Sequence, residues 1–173
     1  ASERQISAVP PVIKGAALVI PDGLLQVHPP EALTPEQKPD GFSEDPIARA
    51  MIEKLAMDAV IAAERMLGNE PRDVSAENKG YDVESRDPRA NRLRFIEVKG
   101  RVAGAEAITV TRNEILYSLN KPDDFILAVV EFLDTDSHRV HYIHQPFRRE
   151  PDFGVTSVNY GFPELIARAE PPK

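Results

Sequence analysis

The sequence predicts an α/β (α+β) domain in which a mixed central β-sheet is flanked by helices. Three observations support this fold class. A long helical pattern begins at Asp45, short β-like segments follow it, and a second helical pattern at Thr111 precedes the apolar run FILAVVEFL. A nearly continuous apolar run of this length is typical of a strand inside a sheet whose two faces are both covered.

The prolines divide the chain into an extension and a folded domain. Eight of the 16 prolines lie in the first 46 residues. Residues 1–45 are therefore interpreted as a proline-rich extension or linker, with one β-like run at Ala16–Ile20. Residues 46–150 are predicted to form the domain, and residues 151–173 an irregular tail with a short helix at 163–168. The chain does not begin with Met, which favours a piece of a longer protein.

The composition narrows the class of protein. The 173 residues are 42% hydrophobic and 28% charged, as expected of one globular domain with extensions. Cysteine is absent, which excludes a disulfide framework and thiolate chemistry and fits a cytoplasmic protein. No apolar run approaches the ~20 residues of a membrane span, so no membrane partner is expected. The net charge of −7 argues against a general nucleic-acid coat protein but permits a local basic patch.

The first helix is predicted from its capping residues. Asp45 is a favourable N-cap and Pro46 suits the first helical position. The pattern ends at Gly68-Asn69, which is typical of a helix terminus. Apolar residues form one stripe at Ile47, Met51, Leu55, Ala59 and Met66, and others follow at Met57, Val60 and Ile61. A helix with apolar residues on several sides is expected to be covered on more than one side.

Short β-like segments follow this helix. They lie near Asp73–Ser75, Lys79–Ser85, Leu93–Lys99 and Ala107–Val110. The second and third segments are separated by RDPRAN, whose composition is typical of a turn, so these two are predicted to pair as a hairpin.

The second helix is predicted from a capping box. Thr111 and Glu114 have the spacing in which each side chain bonds the other residue's backbone, and the helix should continue to about Leu119. Glu114 is accordingly interpreted as structural. The run Phe125–Leu133 is predicted to be a central strand, and Arg139–His144 a further strand.

The strand RFIEVKGR carries charges inside an apolar segment. Glu97 and Lys99 are two positions apart, which places both side chains on the same face of a strand. Burying charges is costly unless they are paired or used. If the predicted hairpin forms, Asp82 lies close to Glu97. Carboxylate oxygens are the ligands that Mg²⁺ and Mn²⁺ prefer, and a lysine beside them can stabilise developing negative charge.

Simpler interpretations of these residues remain open at this point. Glu97 and Lys99 have the spacing of a solvated ion pair on an edge strand, and such pairs contribute little to stability. Asp82 is also a common type of turn residue. The order of the set, GYD before FIEVKG and T-x-x-E after it, favours a functional cluster.

Gly80-Tyr81-Asp82, followed by Phe95–Gly100, resembles the PD-(D/E)xK nuclease superfamily. The core of that superfamily is a helix, a three-stranded meander, a helix and a further strand, and the resemblance covers about residues 46–133. Tyr81 stands where the motif has proline. The segments GYDVES, FIEVKGR and ITVTRNE also resemble the nuclease-like domain at the C-terminal end of Swi/Snf-type helicases. PPVIKGAALVIPDGLL resembles the linker that precedes that domain.

The resemblance implies a set of catalytic residues. Asp82, Glu97 and the backbone carbonyl of Val98 would bind Mg²⁺ or Mn²⁺, and Lys99 would be the catalytic lysine. The superfamily usually adds a glutamate from the first helix, for which Glu53 and Glu64 are candidates. These two lie on one helix face about 16 Å apart, so only one can reach a given metal ion. Glu53 is favoured because the acidic residue of the superfamily lies early in the helix.

The hairpin is rich in basic residues. Residues 86–101 contain six Arg or Lys against two acidic residues. One interpretation is a solvated hairpin tip, and the other is a phosphate-binding patch beside the metal site. The candidate nucleic-acid-binding residues are Arg86, Arg89, Arg92, Arg94 and Arg101, together with Asn113 near the second helix start.

The resemblance implies a Mg²⁺-dependent nuclease acting on DNA, as one part of a helicase-nuclease polypeptide in DNA repair, restriction or defence. The implied partners are DNA, the helicase region and, since many related nucleases are dimers, a second copy of the chain. Two alternatives keep the same fold without catalysis: a nucleic-acid-binding module, and a domain that docks on the helicase.

Overall fold

A computed structural model describes residues 46–134 and 137–173 of the chain, so the expectations for residues 1–45 lie outside this part. The helices are α1 (Pro46–Met66), α2 (Arg112–Asn120) and α3 (Phe162–Ile166), and a 3₁₀ turn spans Ser75–Glu77. The strands are β1 (Glu70–Asp73), β2 (Val83–Asp87), β3 (Arg92–Val102), β4 (Ala107–Thr111), β5 (Phe125–Phe132), β6 (His138–His144) and β7 (Ser157–Gly161). None of the helices in the described ranges is long and apolar enough to cross a membrane.

Five strands form a mixed central sheet in the order β1-β2-β3-β5-β6, which confirms the predicted fold class. β2 and β3 are the predicted antiparallel hairpin, with Arg86 opposite Leu93. β3 and β5 are parallel neighbours, and β6 is antiparallel to β5. The predicted apolar strand β5 lies inside the sheet, and its residues from Phe125 to Val130 are buried. β4 and β7 form a separate two-stranded ribbon.

The two faces of the sheet are buried in different cores. Ile96, Ile126 and Ala128 pack with Ala56 and Val60 of α1. The alternate residues of the same strands belong to the core that includes α2, α3 and the β4–β7 ribbon, and its members include Leu127, Val129, Ile108, Ile115 and Leu165. Because side chains alternate along a strand, Glu97 and Lys99 lie on this second face.

Helix α1 packs on the sheet with a different stripe from the one predicted. Most of the predicted stripe is exposed, with Ile47 at 79%, Met51 at 63% and Met66 at 89%, although Ala59 is partly buried against the core. The face toward the sheet is one position further along the chain and includes Ala56 and Val60. Within the described ranges α1 is covered on the side toward the sheet, where Met57 and Ile61 also pack. This face of α1 can approach β3 closely because Gly100 has no side chain. A Cβ at this position would lie 2.8 Å from Cγ2 of Ile52 and 3.1 Å from Cβ of Ala56.

The segment after Pro151 is more regular than its composition predicts. Ser157–Gly161 forms strand β7, which pairs with β4, and the predicted short helix is present as Phe162–Ile166. Tyr142 and Glu170 then exchange two backbone hydrogen bonds of 2.8 and 2.9 Å. The five residues of β7 alternate too briefly for a clear period, and their pairing partner is far away in the sequence.

The first strand also differs in position, since β1 spans Glu70–Asp73 rather than the neighbourhood of Asp73–Ser75. Its four residues are mostly exposed, and the strand is held by pairing with β2 at the edge of the sheet. Pro71 is tolerated there because an edge strand has one side without ladder hydrogen bonds.

Candidate functional site

Asp82 stands where β2 separates from β3. Its backbone N–H donates to the carbonyl of Ile96 at 2.9 Å, and its side-chain Oδ2 accepts from the backbone N–H of Val98 at 2.9 Å. The carboxylate thus occupies the place that the next carbonyl of β2 would have in the ladder. This bond holds Asp82 beside the strand that carries Glu97, and both carboxyl groups line the same cleft.

Lys99 joins the carboxylates on the same face of β3. Its Nζ lies 2.6 Å from Oε1 of Glu97 and 2.9 Å from Oε2 of Glu114. The exposed fractions of these side chains are 16% for Lys99, 5% for Glu97 and 12% for Glu114. The charges inside the apolar strand are therefore paired and largely buried, which excludes a solvated edge-strand pair.

Glu114 has two roles, of which the sequence revealed one. It closes the predicted capping box, since the N–H of Thr111 donates to its Oε2 at 3.1 Å and its own N–H donates to Thr111 Oγ1 at 3.4 Å. The same Oε2 also contacts Nζ of Lys99. The element order held a clue to this contact, because the chain between two adjacent parallel strands must cross one face of the sheet. That crossing brings the start of α2 over β3.

The pKa values reflect the crowding of the carboxylates. Burial raises the pKa of Glu97 well above its usual range, and the nearby Asp82 and Glu114 raise it further, while Lys99 opposes this. Burial also raises the pKa of Asp82, against the effect of the Val98 N–H. Burial lowers the pKa of Lys99, but Glu97 and Glu114 outweigh it and the net change is upward. Three carboxyl groups share one ammonium, so an additional cation would relieve their repulsion.

The backbone carbonyl of Val98 points toward the space beyond the end of β2. The carbonyl of Ile96 and the N–H of Val98 both bond to Asp82 on this side. The N–H and C=O of one strand residue point to the same side, as the paired bonds of an antiparallel ladder require. The Val98 carbonyl is therefore directed to the side on which Asp82 lies.

These groups lie in a cleft of about 860 Å³ between α1 and the β4–β7 ribbon. The residues lining it include Asp82, Glu97, Val98, Lys99 and Glu114, with Glu53, Lys54, Asp58, Arg101 and Thr109 also contributing. Three of the four predicted catalytic side chains, Asp82, Glu97 and Lys99, are thus brought together, and the fourth, Glu53, lies exposed on the α1 side of the same cleft.

The other candidate on the first helix, Glu64, lies elsewhere. It is fully buried and accepts hydrogen bonds from the hydroxyl of Tyr142 at 2.8 Å and from Nδ2 of Asn69 at 2.7 Å. Arg94 Nη1 lies 3.4 Å from its Oε1. Glu64 therefore belongs to a buried polar network beneath α1, and Glu53 is the helix glutamate that lines the cleft.

The hairpin arginines are not gathered beside the carboxylates. Arg92 and Arg94 lie on the opposite face of β3 from Glu97, because they differ from it by an odd number of positions. Arg92 is also about 16 Å away along the strand. The partners of these side chains are Asp124 for Arg92, Glu64 for Arg94, Glu70 for Arg86 and the Leu67 carbonyl for Arg89.

Arg101 is the hairpin arginine that lines the cleft. Burial lowers the pKa of its guanidinium, and Glu53 opposes this change. Asn113 is exposed and is not among the residues lining the cleft. In residues 46–134 and 137–173, no three His, Asp or Glu side chains form a group that could hold a metal ion. The predicted set is of another kind, with two carboxylates and one backbone carbonyl.

The fold and the cleft define a class of domain: a mixed sheet flanked by helices, with an Asp–Glu–Lys cluster at the point where a hairpin ends. The chain belongs to the family described as Protein NO VEIN, C-terminal, whose model matches residues 52–143. The matched range includes Asp82, Glu97, Lys99 and Glu114. Comparison with the curated proteins and with the solved structures gave no significant match.

Proposed function

We propose that this domain is a metal-dependent nuclease of the PD-(D/E)xK type that hydrolyses DNA phosphodiester bonds. One observation carries the proposal. The carboxyl groups of Asp82 and Glu97 line one cleft, with Nζ of Lys99 2.6 Å from Oε1 of Glu97. This is the convergence that the proposed chemistry requires of a carboxylate pair and a lysine.

The donor groups fit Mg²⁺ or Mn²⁺. Asp82, Glu97 and the Val98 carbonyl offer oxygen atoms alone, which is the donor type that these hard cations select. The surplus of carboxylates over ammonium groups also favours a divalent cation at this point. Such an ion, when bound, supplies polarisation of a phosphoryl oxygen and lowers the pKa of a bound water.

The chain's own residues orient the substrate. Lys99, held between Glu97 and Glu114, is placed to donate hydrogen bonds to a phosphate oxygen on which negative charge increases. Arg101 and Lys54 add positive charge at the cleft, and Glu53 adds a carboxylate there. Burial of the Lys99–Glu97 pair reduces screening by water, so the ammonium acts more strongly than it would on an open surface.

We further propose that the domain acts as the C-terminal, cytoplasmic part of a helicase-nuclease polypeptide, in DNA repair, restriction or defence. This step is supported by the resemblance of GYDVES, FIEVKGR and ITVTRNE to the helicase-associated domain. The helicase region and DNA are the partners on this proposal, and a second copy of the chain is a further candidate.

One observation favours a helicase-docking module as the second candidate function. Ile47, Met51 and Met66 expose an apolar stripe on α1. An exposed apolar stripe of this kind is typical of a protein-binding surface.

The test is cleavage by the full chain of duplex DNA, single-stranded DNA and RNA in Mg²⁺, in Mn²⁺ and in EDTA. Cleavage that needs the metal, stops in EDTA and is lost in Lys99→Met supports the nuclease. The control is Lys121→Met, which changes a lysine at the end of α2, outside the cleft. Binding of DNA without cleavage at any metal concentration would indicate the non-catalytic module, and absence of both would leave the docking function.

The role of Glu114 in holding Lys99 can be separated from its role in the cap. Glu114→Gln keeps a capping box, because glutamine also serves at this position, but it removes one anion from Lys99. We expect cleavage to fall by about 10²-fold, since small misplacement of a catalytic group has effects of this size. The unfolding free energy should fall by no more than about 1.5–3 kcal/mol, the contribution of one hydrogen bond to a charged group.

The matched control is Thr111→Ala, which removes the cap and leaves the Lys99–Glu114 pair. It should lower the unfolding free energy by about 0.5–2 kcal/mol and leave the cleavage rate near that of the wild type. Equal losses of cleavage in both variants would show that Glu114 acts through the helix alone.

A further inference from the structure

The loop between β6 and β7 presents an aromatic side chain to solvent. Phe153 is 90% exposed, and its backbone lies in a turn in which the N–H of Val155 donates to the carbonyl of Asp152 at 3.0 Å. A single exposed aromatic residue is common on protein surfaces. Phe153 differs from such a residue because its ring contacts the side chain of Arg112.

Arg112, the first residue of α2, fixes the loop in place. Its guanidinium carbon lies 5.4 Å from the centroid of the Phe153 ring, within the range of a cation–π contact. The same guanidinium donates to Oε1 of Glu150 at 2.8 Å and to the carbonyl of Phe153 at 3.5 Å. The backbone N–H of Arg112 donates to the carbonyl of Thr156 at 2.8 Å. The ring is therefore held against a guanidinium while most of its surface faces outward.

Phe153 contacts the N-terminal end of α2, the helix that contributes Glu114 to the cleft. Arg112 is two residues before Glu114, whose carboxylate contacts Lys99. The β4–β7 ribbon connects the two places, because Thr109 lines the cleft and Ser157 follows the loop directly. The outer face of the ribbon is polar, with Thr109 Oγ1 donating to Oδ1 of Asn159 at 2.8 Å.

We propose that Phe153, supported by Arg112, is a stacking surface for an unpaired base of single-stranded nucleic acid whose backbone enters the cleft. The inference rests on the proposed function and adds the strandedness of the substrate. Aromatic rings beside arginine are the usual stacking surfaces for single strands, and hydroxyl and amide groups such as those of the ribbon contact sugar and phosphate.

The local charge favours stacking over phosphate neutralisation. Glu150 pairs with Arg112, and Asp152 offsets part of the charge of Arg148 and Arg149 in the same loop. A surface without a strong positive charge attracts a duplex backbone weakly. A base in a duplex is already stacked, so the ring of Phe153 is useful to a strand whose bases are free.

The test is fluorescence anisotropy of the full chain in EDTA, which separates binding from cleavage. The probes are a labelled oligothymidylate of about 15 nucleotides, matched to the usual site sizes, and a duplex of the same length. Phe153→Ala should weaken binding of the single strand about tenfold, since one stacked base contributes roughly 1–3 kcal/mol. Phe153→Trp should retain or strengthen it. The control is Met66→Ala, which removes an apolar side chain of similar exposure, 89%, from α1.

Unchanged affinity of Phe153→Ala for the single strand would overturn the inference. Equal weakening toward duplex and single strand would overturn it too, because stacking on a free base is specific to the latter. A wild-type chain that cleaves duplex DNA but does not bind the oligothymidylate would refute this inference and leave the nuclease proposal standing. Binding that depends on Phe153, without cleavage of any substrate, would support the stacking surface and count against the nuclease.

Discussion

Asp82→Asn is expected to lower the rate of metal-dependent DNA cleavage by about 10²–10³-fold while leaving the fold at least as stable as the wild type. The amide keeps the size of the side chain, and its oxygen can still accept from the N–H of Val98. It removes one anionic ligand of the proposed ion, and losing one such electrostatic contact costs about 10²–10³ in rate. Burial raises the pKa of Asp82, so the ionised carboxylate weakens the fold at neutral pH and the neutral amide relieves this.

The measurements are the cleavage rate in Mg²⁺ and the midpoint of thermal unfolding in EDTA at neutral pH. Asp58→Asn is the matched control, since this residue lines the same cleft but its side chain is 60% exposed and pairs with Lys54. It should leave both quantities near their wild-type values. A variant at position 82 that still cleaves at the wild-type rate would remove Asp82 from the catalytic site.

Glu64→Ala is expected to have the largest effect on stability, lowering the unfolding free energy by about 3–5 kcal/mol. Its carboxylate is fully buried and accepts from Tyr142 at 2.8 Å and from Asn69 at 2.7 Å. Without it these two donors lose their acceptor in a buried place, and each unsatisfied group costs about 1–3 kcal/mol. Arg94 loses its acidic neighbour but still donates to the carbonyl of Lys173 at 3.0 Å. Chemical denaturation followed by circular dichroism measures the change.

Glu53→Ala is the control on the same helix. Glu53 is exposed at the cleft, and a surface substitution there should change the unfolding free energy by less than about 0.5 kcal/mol. The pair of variants thus separates the two glutamates that the sequence left as rivals. A change below about 1 kcal/mol in Glu64→Ala would mean that water replaces the carboxylate without loss.

Elements specified by local chemistry were predictable from the sequence. Helix α2 was predictable from Thr111 and Glu114, which have the three-residue spacing of a capping box. RDPRAN marks the turn of the β2–β3 hairpin, and the apolar run from Phe125 marks the interior strand β5. The convergence of Asp82 with Glu97 follows from that hairpin, since pairing of the two strands places the residues side by side.

What depended on distant partners was not predictable. α1 carries two stripes one position apart, and the face that packs on the sheet is selected by Gly100, 44 residues after Ala56. β7 is held by pairing with β4, and the composition of SVNYG does not indicate this pairing. The hairpin arginines are a different case. Alternation along β3 already separates Arg92 and Arg94 from the face of Glu97, so the strand period could have corrected that expectation.

The near contact of α1 with β3 at Gly100 has a consequence for access to the cluster. The helix that carries Glu53 can approach the strand that carries Lys99 because residue 100 has no side chain. A methyl group there would lie 3.0 Å from the carbonyl oxygen of Ile52, so the helix and the strand would have to move apart. Gly100 thereby limits the separation between the side of the cleft that carries Glu53 and the side that carries Lys99.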